Sequence, residues 1–179
     1  NDFDRYLTPS SLANEYEGKH RPGHFAGVVT VVHRLFDIVQ PDLAIFGAKD
    51  YQQVAVIRAM SDELHPTIRI IALETVRDTD GLALSSRNAR LNTESRLQAQ
   101  VIPRTLQAIA NLHAQGETRS DVLKSEGLEI LGLVPNMHVE YLEIVQQDTL
   151  NAVDEARNAV LLFAGVLDGV RLIDNLLLQ

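Results

Sequence analysis

Lys49 stands in the run Phe46-Gly47-Ala48-Lys49-Asp50-Tyr51-Gln52-Gln53, where a short apolar stretch gives way to a segment of helical periodicity. A lysine ammonium at such a junction is a point charge suited to a phosphate. Gly47 beside it would let a ligand approach bare backbone. Ligands of open α/β sheets bind at the carboxyl ends of strands, and the N–H groups of a helix start favour anions. A plainer reading has equal standing at this point: Asp50, with Gln53 three residues on, has the spacing of a capping box that merely begins a helix. A second group is Leu84-Ser85-Ser86-Arg87-Asn88, in a polar stretch. Hydroxyls beside a guanidinium make a phosphate clamp, or they cap and turn the chain. The third is Gly18-Lys19-His20-Arg21-Pro22-Gly23-His24-Phe25, which adds the cations Lys19 and Arg21. Pro22 and Gly23 keep His20 and His24 off a common helix face.

Much other chemistry is excluded. The chain has no cysteine, which removes disulfides, thiolate zinc sites, iron–sulfur clusters and thiol nucleophiles. It has no His-Glu-x-x-His motif, and no metal site is expected. His33, His65, His113 and His138 are scattered and read as surface or packed side chains. Asp168, Arg171 and Asp174 read as ordinary ion-pair partners, and Glu15, Glu17, Asp154 and Glu155 as a solvated face. No spacing supports paired catalytic carboxylates or a Ser–His–Asp arrangement. With 24 acidic against 16 basic side chains, the net charge of −8 argues against nucleic acid as a partner. It leaves room for a few cations converging on a small anion. Apolar runs such as Ala159–Gly165 fall far short of the roughly 20 residues of a membrane span. The start, Asn1-Asp2-Phe3-Asp4, lacks the features of a signal peptide. A soluble cytoplasmic protein is the expectation, with neither membrane nor nucleic acid as partner.

The elements that must position these groups follow from periodicity. Apolar residues at 25, 28, 29, 32, 35, 36 and 39 predict a helix over 25–39. Gln40-Pro41-Asp42 ends it, and Leu43-Ala44-Ile45-Phe46 predicts a buried parallel strand covered on both faces. A helix over 51–64, with Val54, Ile57, Met60 and Leu64 on one stripe, and a strand over 68–73 complete a βαβ unit. Beyond Val76 the pattern changes: a polar stretch with an Asp80-Gly81 turn, a helix over 93–114 interrupted near Pro103, and a helix over 119–132. Strand-like runs at His138–Val145, Ala159–Ala164 and Val170–Leu178 follow. The fold class is therefore α/β: part of a parallel sheet over residues 1–76, then a small α+β domain over 77–179.

Taken in order, several segments resemble the pantothenate synthetase (pantoate–β-alanine ligase) family. They are Arg21-Pro22-Gly23-His24-Phe25-Ala26-Gly27-Val28, Pro41-Asp42, the Phe46–Gln53 run, Val56-Ile57-Arg58, Thr75-Val76-Arg77, Asp80-Gly81-Leu82-Ala83-Leu84-Ser85-Ser86-Arg87-Asn88 and Arg171-Leu172-Ile173-Asp174-Asn175. The resemblance implies a Rossmann-like nucleotidyltransferase domain followed by a small α+β domain, as a homodimer when full-length. It implies ATP-dependent joining of pantoate and β-alanine through a pantoyl adenylate, releasing pyrophosphate and AMP, with Mg²⁺ on the phosphates. By that similarity Gly47, Ala48, Lys49 and Asp50 line the ATP site, Gln53 holds pantoate and Val76 touches the adenine region. Leu84, Ser85, Ser86 and Arg87 correspond to a KMSKS-type phosphate loop; Lys49, Ser85, Ser86 and Arg87 are the expected catalytic groups. Lys49 and Arg87 fall on opposite sides of the domain junction, so closure would complete a clamp.

The chain departs from the family pattern in two ways. Ala48 stands where the family usually has Glu, so backbone contacts survive and a carboxylate contact is lost. The family's early segment, with a His-x-Gly-His type motif and a further pantoate-holding Gln, has no counterpart, since Pro22-Gly23-His24 matches a different motif. On this reading the chain is a C-terminal portion and is expected to be inactive alone. The alternative is a non-catalytic nucleotide-binding or regulatory module of the same fold.

Overall fold

A computed structural model describes residues 6–179. The chain divides into two compact units, Asn1–Glu74 and Thr75–Gln179, which places Val76 in the second.

The first unit contains α1 (Glu17–His20), α2 (His24–Val39), β1 (Leu43–Gly47), α3 (Tyr51–Leu64) and β2 (Arg69–Leu73). β1 and β2 pair in parallel, in register from Leu43 opposite Arg69 to Gly47 opposite Leu73, with α3 as the crossover. α2 stops where Gln40 turns left-handed and hands the chain to Pro41, which cannot continue a helix. Phe25, Val29 and Phe36 of α2 pack against Val56, Ile57 and Met60 of α3, over Ala44 and Phe46 of β1 and Ile70 of β2. Both helices thus cover one face of the strand pair. The opposite face is not covered by the described residues of the unit: Ile45 is 56% and Leu73 54% exposed. This corrects the expectation of a strand buried on both sides. Alternate strand residues point to opposite faces, and an unbroken apolar run does not reveal which face is filled.

The second unit contains α4 (Thr93–Ala99), α5 (Val101–Ala114) and α6 (Ser120–Leu131), then β3 (Met137–Gln146), β4 (Ala159–Leu167) and β5 (Val170–Leu178). The three strands form an antiparallel sheet in the order β3-β4-β5. Asp168 and Gly169 join β4 to β5 with positive φ at both residues, 48° and 76°, the twist that a two-residue hairpin turn requires. Asn92 caps α4, its Oδ1 accepting the Ser95 N–H at 2.8 Å. The expected interruption falls at Gln100, between α4 and α5. Pro103 itself sits in the first turn of α5, where a missing N–H is tolerated. Leu106 and Ile109 of α5, Leu123 and Leu131 of α6, and Ile144, Leu161 and Phe163 of the sheet form a continuous core. Gly127 permits it: a Cβ there would lie 2.6 Å from Ile109 Cδ1 and 2.7 Å from Leu142 Cδ2.

Candidate functional site

The first candidate lies at the carboxyl end of β1. Gly47 ends the strand in extended backbone (φ −76°, ψ 131°), Ala48–Asp50 make one short turn, and α3 begins at Tyr51. Neither conformation nor crowding demands glycine here, because a Cβ at Gly47 would meet nothing within 4 Å. What the missing side chain leaves is exposed backbone. Lys49 is half-buried beside it. Asp50 occupies the cap position of α3, yet its carboxylate makes no capping hydrogen bond. The capping-box alternative is therefore not realised. Its φ of −93° and ψ of 63° are outside the extended geometry that aims a cap side chain at the first turn.

Adjacent side chains on α3 diverge by about 100°, and the two glutamines have different fates. Gln52 turns inward and is 4% exposed. Its Nε2 donates to the carbonyls of Leu12 at 2.7 Å and Glu15 at 2.9 Å, and its Oε1 accepts the Glu17 N–H at 2.9 Å. Gln53 is half-buried, and its amide has no hydrogen-bond partner among the described residues. The sequence nominates Gln53 but contains no sign of the Gln52 role, because the partners lie 35 to 40 residues away. Glu17 corrects a second expectation. Far from standing on a solvated face, it is buried, with Arg21 Nη1 3.8 Å from its carboxylate, because Gln52 holds its backbone against α3.

The second candidate is the loop of the second unit. Val76 and Leu84 close a hairpin through Leu84 N–H to Val76 O (2.9 Å), with Gly81 in a left-handed turn. Two arginines fix it. Arg77 donates from both terminal nitrogens to Asp174 of β5, at 2.7 and 2.9 Å. Arg96 of α4 reaches Asp78 at 2.6 Å and Asp80 at 2.8 Å. The Asp78 carboxyl is held below its ordinary range, first by the Thr79 N–H and then by Arg96. Past the hairpin, Ser85 Oγ accepts the Arg87 N–H at 3.2 Å and so caps the turn Ser86–Arg90. Asn88 is buried and donates to Ala83 O at 3.0 Å. The capping role thus holds for Ser85, while Ser86 is exposed. The Arg87 guanidinium has no partner among the described residues. Val76 and Leu84 both expose their apolar side chains. Asp174 and Arg171 are ion-paired as expected, Arg171 with Glu140 at 2.7 Å. Asp168 instead accepts a hydrogen bond from the Ser95 hydroxyl. Sequence reasoning named neither Arg77 nor Arg96 as a positioning group.

The histidines are not all scattered. His33 and Asp37, one turn apart on α2, meet His65, which follows the last residue of α3. His33 Nδ1 lies 2.7 Å from His65 Nε2, and His33 Nε2 lies 3.3 Å from Asp37 Oδ2. Burial holds the His65 imidazole below its ordinary pKa; nearby His33 adds to this and Asp37 opposes it. Among the described residues this is the group whose donor atoms could hold a metal ion, and it lies at the far end of α3 from Lys49. No comparable cluster gathers at Gly47–Gln53 or Leu84–Arg87 among the described residues.

A parallel βαβ unit followed by an α+β unit is the architecture this chain shares with solved structures of nucleotidyltransferase-like fold. More narrowly, the chain belongs to the pantoate–β-alanine ligase family, whose sequence profile, described as "Pantoate-beta-alanine ligase", matches residues 3–177. It is 40% identical over 178 residues to the pantothenate synthetase of Pseudothermotoga lettingae, covering 99% of this chain and 63% of that protein. With the Pseudomonas fluorescens pantothenate synthetase it shares 52% identity over 163 residues, 89% of this chain and 56% of the relative. A crystal structure of the Thermus thermophilus enzyme superimposes with a TM-score of 0.90 at 42% identity, over 97% of this chain and 64% of that one. The Francisella tularensis pantoate-β-alanine ligase, described as complexed with β-γ ATP and β-alanine, gives 0.70 at 30% identity, over 97% of this chain and 58% of that one. The chain thus spans 63% and 56% of the length of the two relatives compared in sequence.

Proposed function

We propose that this chain takes part in the ATP-dependent ligation of pantoate and β-alanine through a pantoyl adenylate. The observation that carries the reading is the turn after β1. Bare Gly47 backbone, Lys49 and an uncommitted Gln53 amide come together there, in a chain of this family. In the first step a pantoate carboxylate oxygen bonds to the α-phosphorus of ATP and pyrophosphate leaves. In the second, the amine of β-alanine bonds to the acyl carbon and AMP leaves. The protein's task in the first step is to meet the negative charge that builds on the transferring and departing phosphates. Lys49 and Arg87 supply cations for it, and the Ser86 hydroxyl donates alongside. Ser85 retains its own O–H as a donor, since its oxygen is used as an acceptor by the Arg87 N–H. Gly47, Ala48 and Asp50 line the nucleotide through the backbone, and the apolar faces of Val76 and Leu84 suit a purine. Ala48 brings no carboxylate, so its part is confined to the main chain. Gln53 offers both a donor and an acceptor to the hydroxyl and carboxylate of pantoate.

Mg²⁺, when bound, would add positive charge on the phosphates. No carboxylate cluster for it gathers at either loop among the described residues, and the roles above rest on the chain's own groups.

The test is an NMR titration of the assigned chain with a non-hydrolysable pantoyl-adenylate analogue. Saturable shifts confined to 47–53 and 84–87 are the expected result. A folded chain that shows none overturns the assignment of these residues. Saturable ATP binding indifferent to pantoate would favour the regulatory alternative.

A further inference from the structure

His33, Asp37 and His65 take no part in the proposed ligation. α3 is 14 residues long, so at about 1.5 Å per residue its two ends lie roughly 20 Å apart. The cluster sits at the amino-terminal end of the strand pair, where Asp37 and His65 line a groove of about 370 Å³ together with Gln40, Asp42 and Pro66. Two imidazole rings lie tilted at 45° to each other with centroids 4.9 Å apart, and a carboxylate closes the triangle: His65 Nε2 is 4.0 Å from Asp37 Oδ1. One donor atom from each residue lies within 4.8 Å of the others.

We propose that His33, Asp37 and His65 form a binding site for a divalent first-row transition ion of the Zn²⁺ type. The donor set decides the class: imidazole nitrogens select zinc, copper or nickel over Mg²⁺ and Ca²⁺, which require oxygen ligands. The geometry decides feasibility. A tetrahedral ion with bonds of about 2.0–2.1 Å holds its ligand atoms about 3.3 Å apart. His33 Nδ1 and His65 Nε2, now at 2.7 Å, must part by about half an ångström, and Asp37 must approach His65 by rather more than that. Both are small displacements at the ends of side chains, and Asp37 is exposed enough to move. Two neutral imidazoles this close can share one proton between their facing nitrogens; an ion satisfies both lone pairs at once. Asp37 and His65 border the groove, which gives water a route to a fourth position. The ion would tie α2 to α3 below the sheet, remote from Lys49.

The test uses the 179-residue chain without an affinity tag, stripped with EDTA and titrated with Zn²⁺ by calorimetry. Co²⁺ is added in parallel to read tetrahedral ligand-field bands. One equivalent of Zn²⁺ is expected, with a raised melting temperature. His33→Gln and Asp37→Asn should each weaken binding at least about 10-fold, and His113→Gln should leave it unchanged. His65→Gln removes an imidazole packed edge-on to Phe36 and could cost folding. The His33 and Asp37 variants are therefore the decisive pair, with their folding checked by circular dichroism. Absence of saturable binding at on the order of 100 μM Zn²⁺, or binding that survives both substitutions, overturns the proposal.

Discussion

Gln52 and Gln53 are chemically identical neighbours with opposite assignments, and substituting them one at a time separates architecture from binding. Gln52→Leu keeps the volume and deletes the amide. Three main-chain groups then lose a hydrogen bond, the carbonyls of Leu12 and Glu15 and the N–H of Glu17, although the Glu15 carbonyl still accepts the Gly18 N–H. A buried group left unsatisfied costs about 1–3 kcal/mol, but exposed carbonyls recover water. Glu17 is buried, while Glu15 is exposed and Leu12 half-buried. The loss should therefore total about 2–4 kcal/mol, most of it from the Glu17 N–H and the Leu12 carbonyl. That is a large share of the roughly 5–15 kcal/mol available to a domain. The segment 12–17 can also limit the damage by detaching, so two readouts are needed: urea denaturation and amide hydrogen exchange of residues 10–20. Gln53→Leu, whose amide has no partner to orphan, should shift stability by less than about 0.5 kcal/mol while weakening the pantoyl-adenylate analogue. Equal stability effects, or a Gln52→Leu cost below about 0.5 kcal/mol with unchanged exchange at 10–20, would refute the division of labour.

Three further outcomes follow from the same geometry. Lys49→Ala should weaken ATP binding by about 10- to 100-fold in calorimetry, the worth of one charge-assisted contact; a loss under about threefold would remove Lys49 from the phosphate role. Arg77→Ala leaves the Asp174 carboxylate, 3% exposed, without its bidentate partner and should cost about 3–5 kcal/mol in urea denaturation, whereas pairing it with Asp174→Asn should recover part of the loss. A double variant no more stable than Arg77→Ala would contradict that. Asp78 has a folded-state pKa below its ordinary value, so its contribution is present above about pH 4 and is lost as the pH falls through the folded value. Melting temperature should fall across that window, and Arg96→Gln should flatten the fall; equal slopes in both proteins would count against the Arg96 contact.

Legibility divides by distance along the chain. α2 and α3 are written in the 3.6-residue recurrence of Phe25, Val29 and Phe36, and of Val54, Ile57 and Met60; β4 and β5 are written in the apolar runs Ala159–Ala164 and Val170–Leu178. The same local grammar places Lys49 at a strand end and Ser85 at a turn. It misjudges what depends on a partner far away. Arg77 meets Asp174 across 97 residues, and His33 meets His65 across 32. No spacing rule ranks those pairs above the other combinations open to them, because the sheet and the helix packing that bring them together are products of the whole core. Ile45 fails for a related reason, since its run is apolar at every position and only tertiary structure says which alternate residue is covered. Gly47 shows the converse. Other glycines here relieve crowding, as Gly127 does between Ile109 and Leu142, or supply a positive φ, as Gly169 does. Gly47 relieves none and adopts backbone angles open to any residue, so nothing among the described residues accounts for it. A glycine that the fold does not need, beside a lysine at the carboxyl end of a parallel strand, is best explained by what lies outside the chain. Gly47→Ala should therefore leave stability nearly unchanged and weaken ATP binding. If it instead destabilises the protein with affinity intact, the glycine serves the fold and the argument from open space fails.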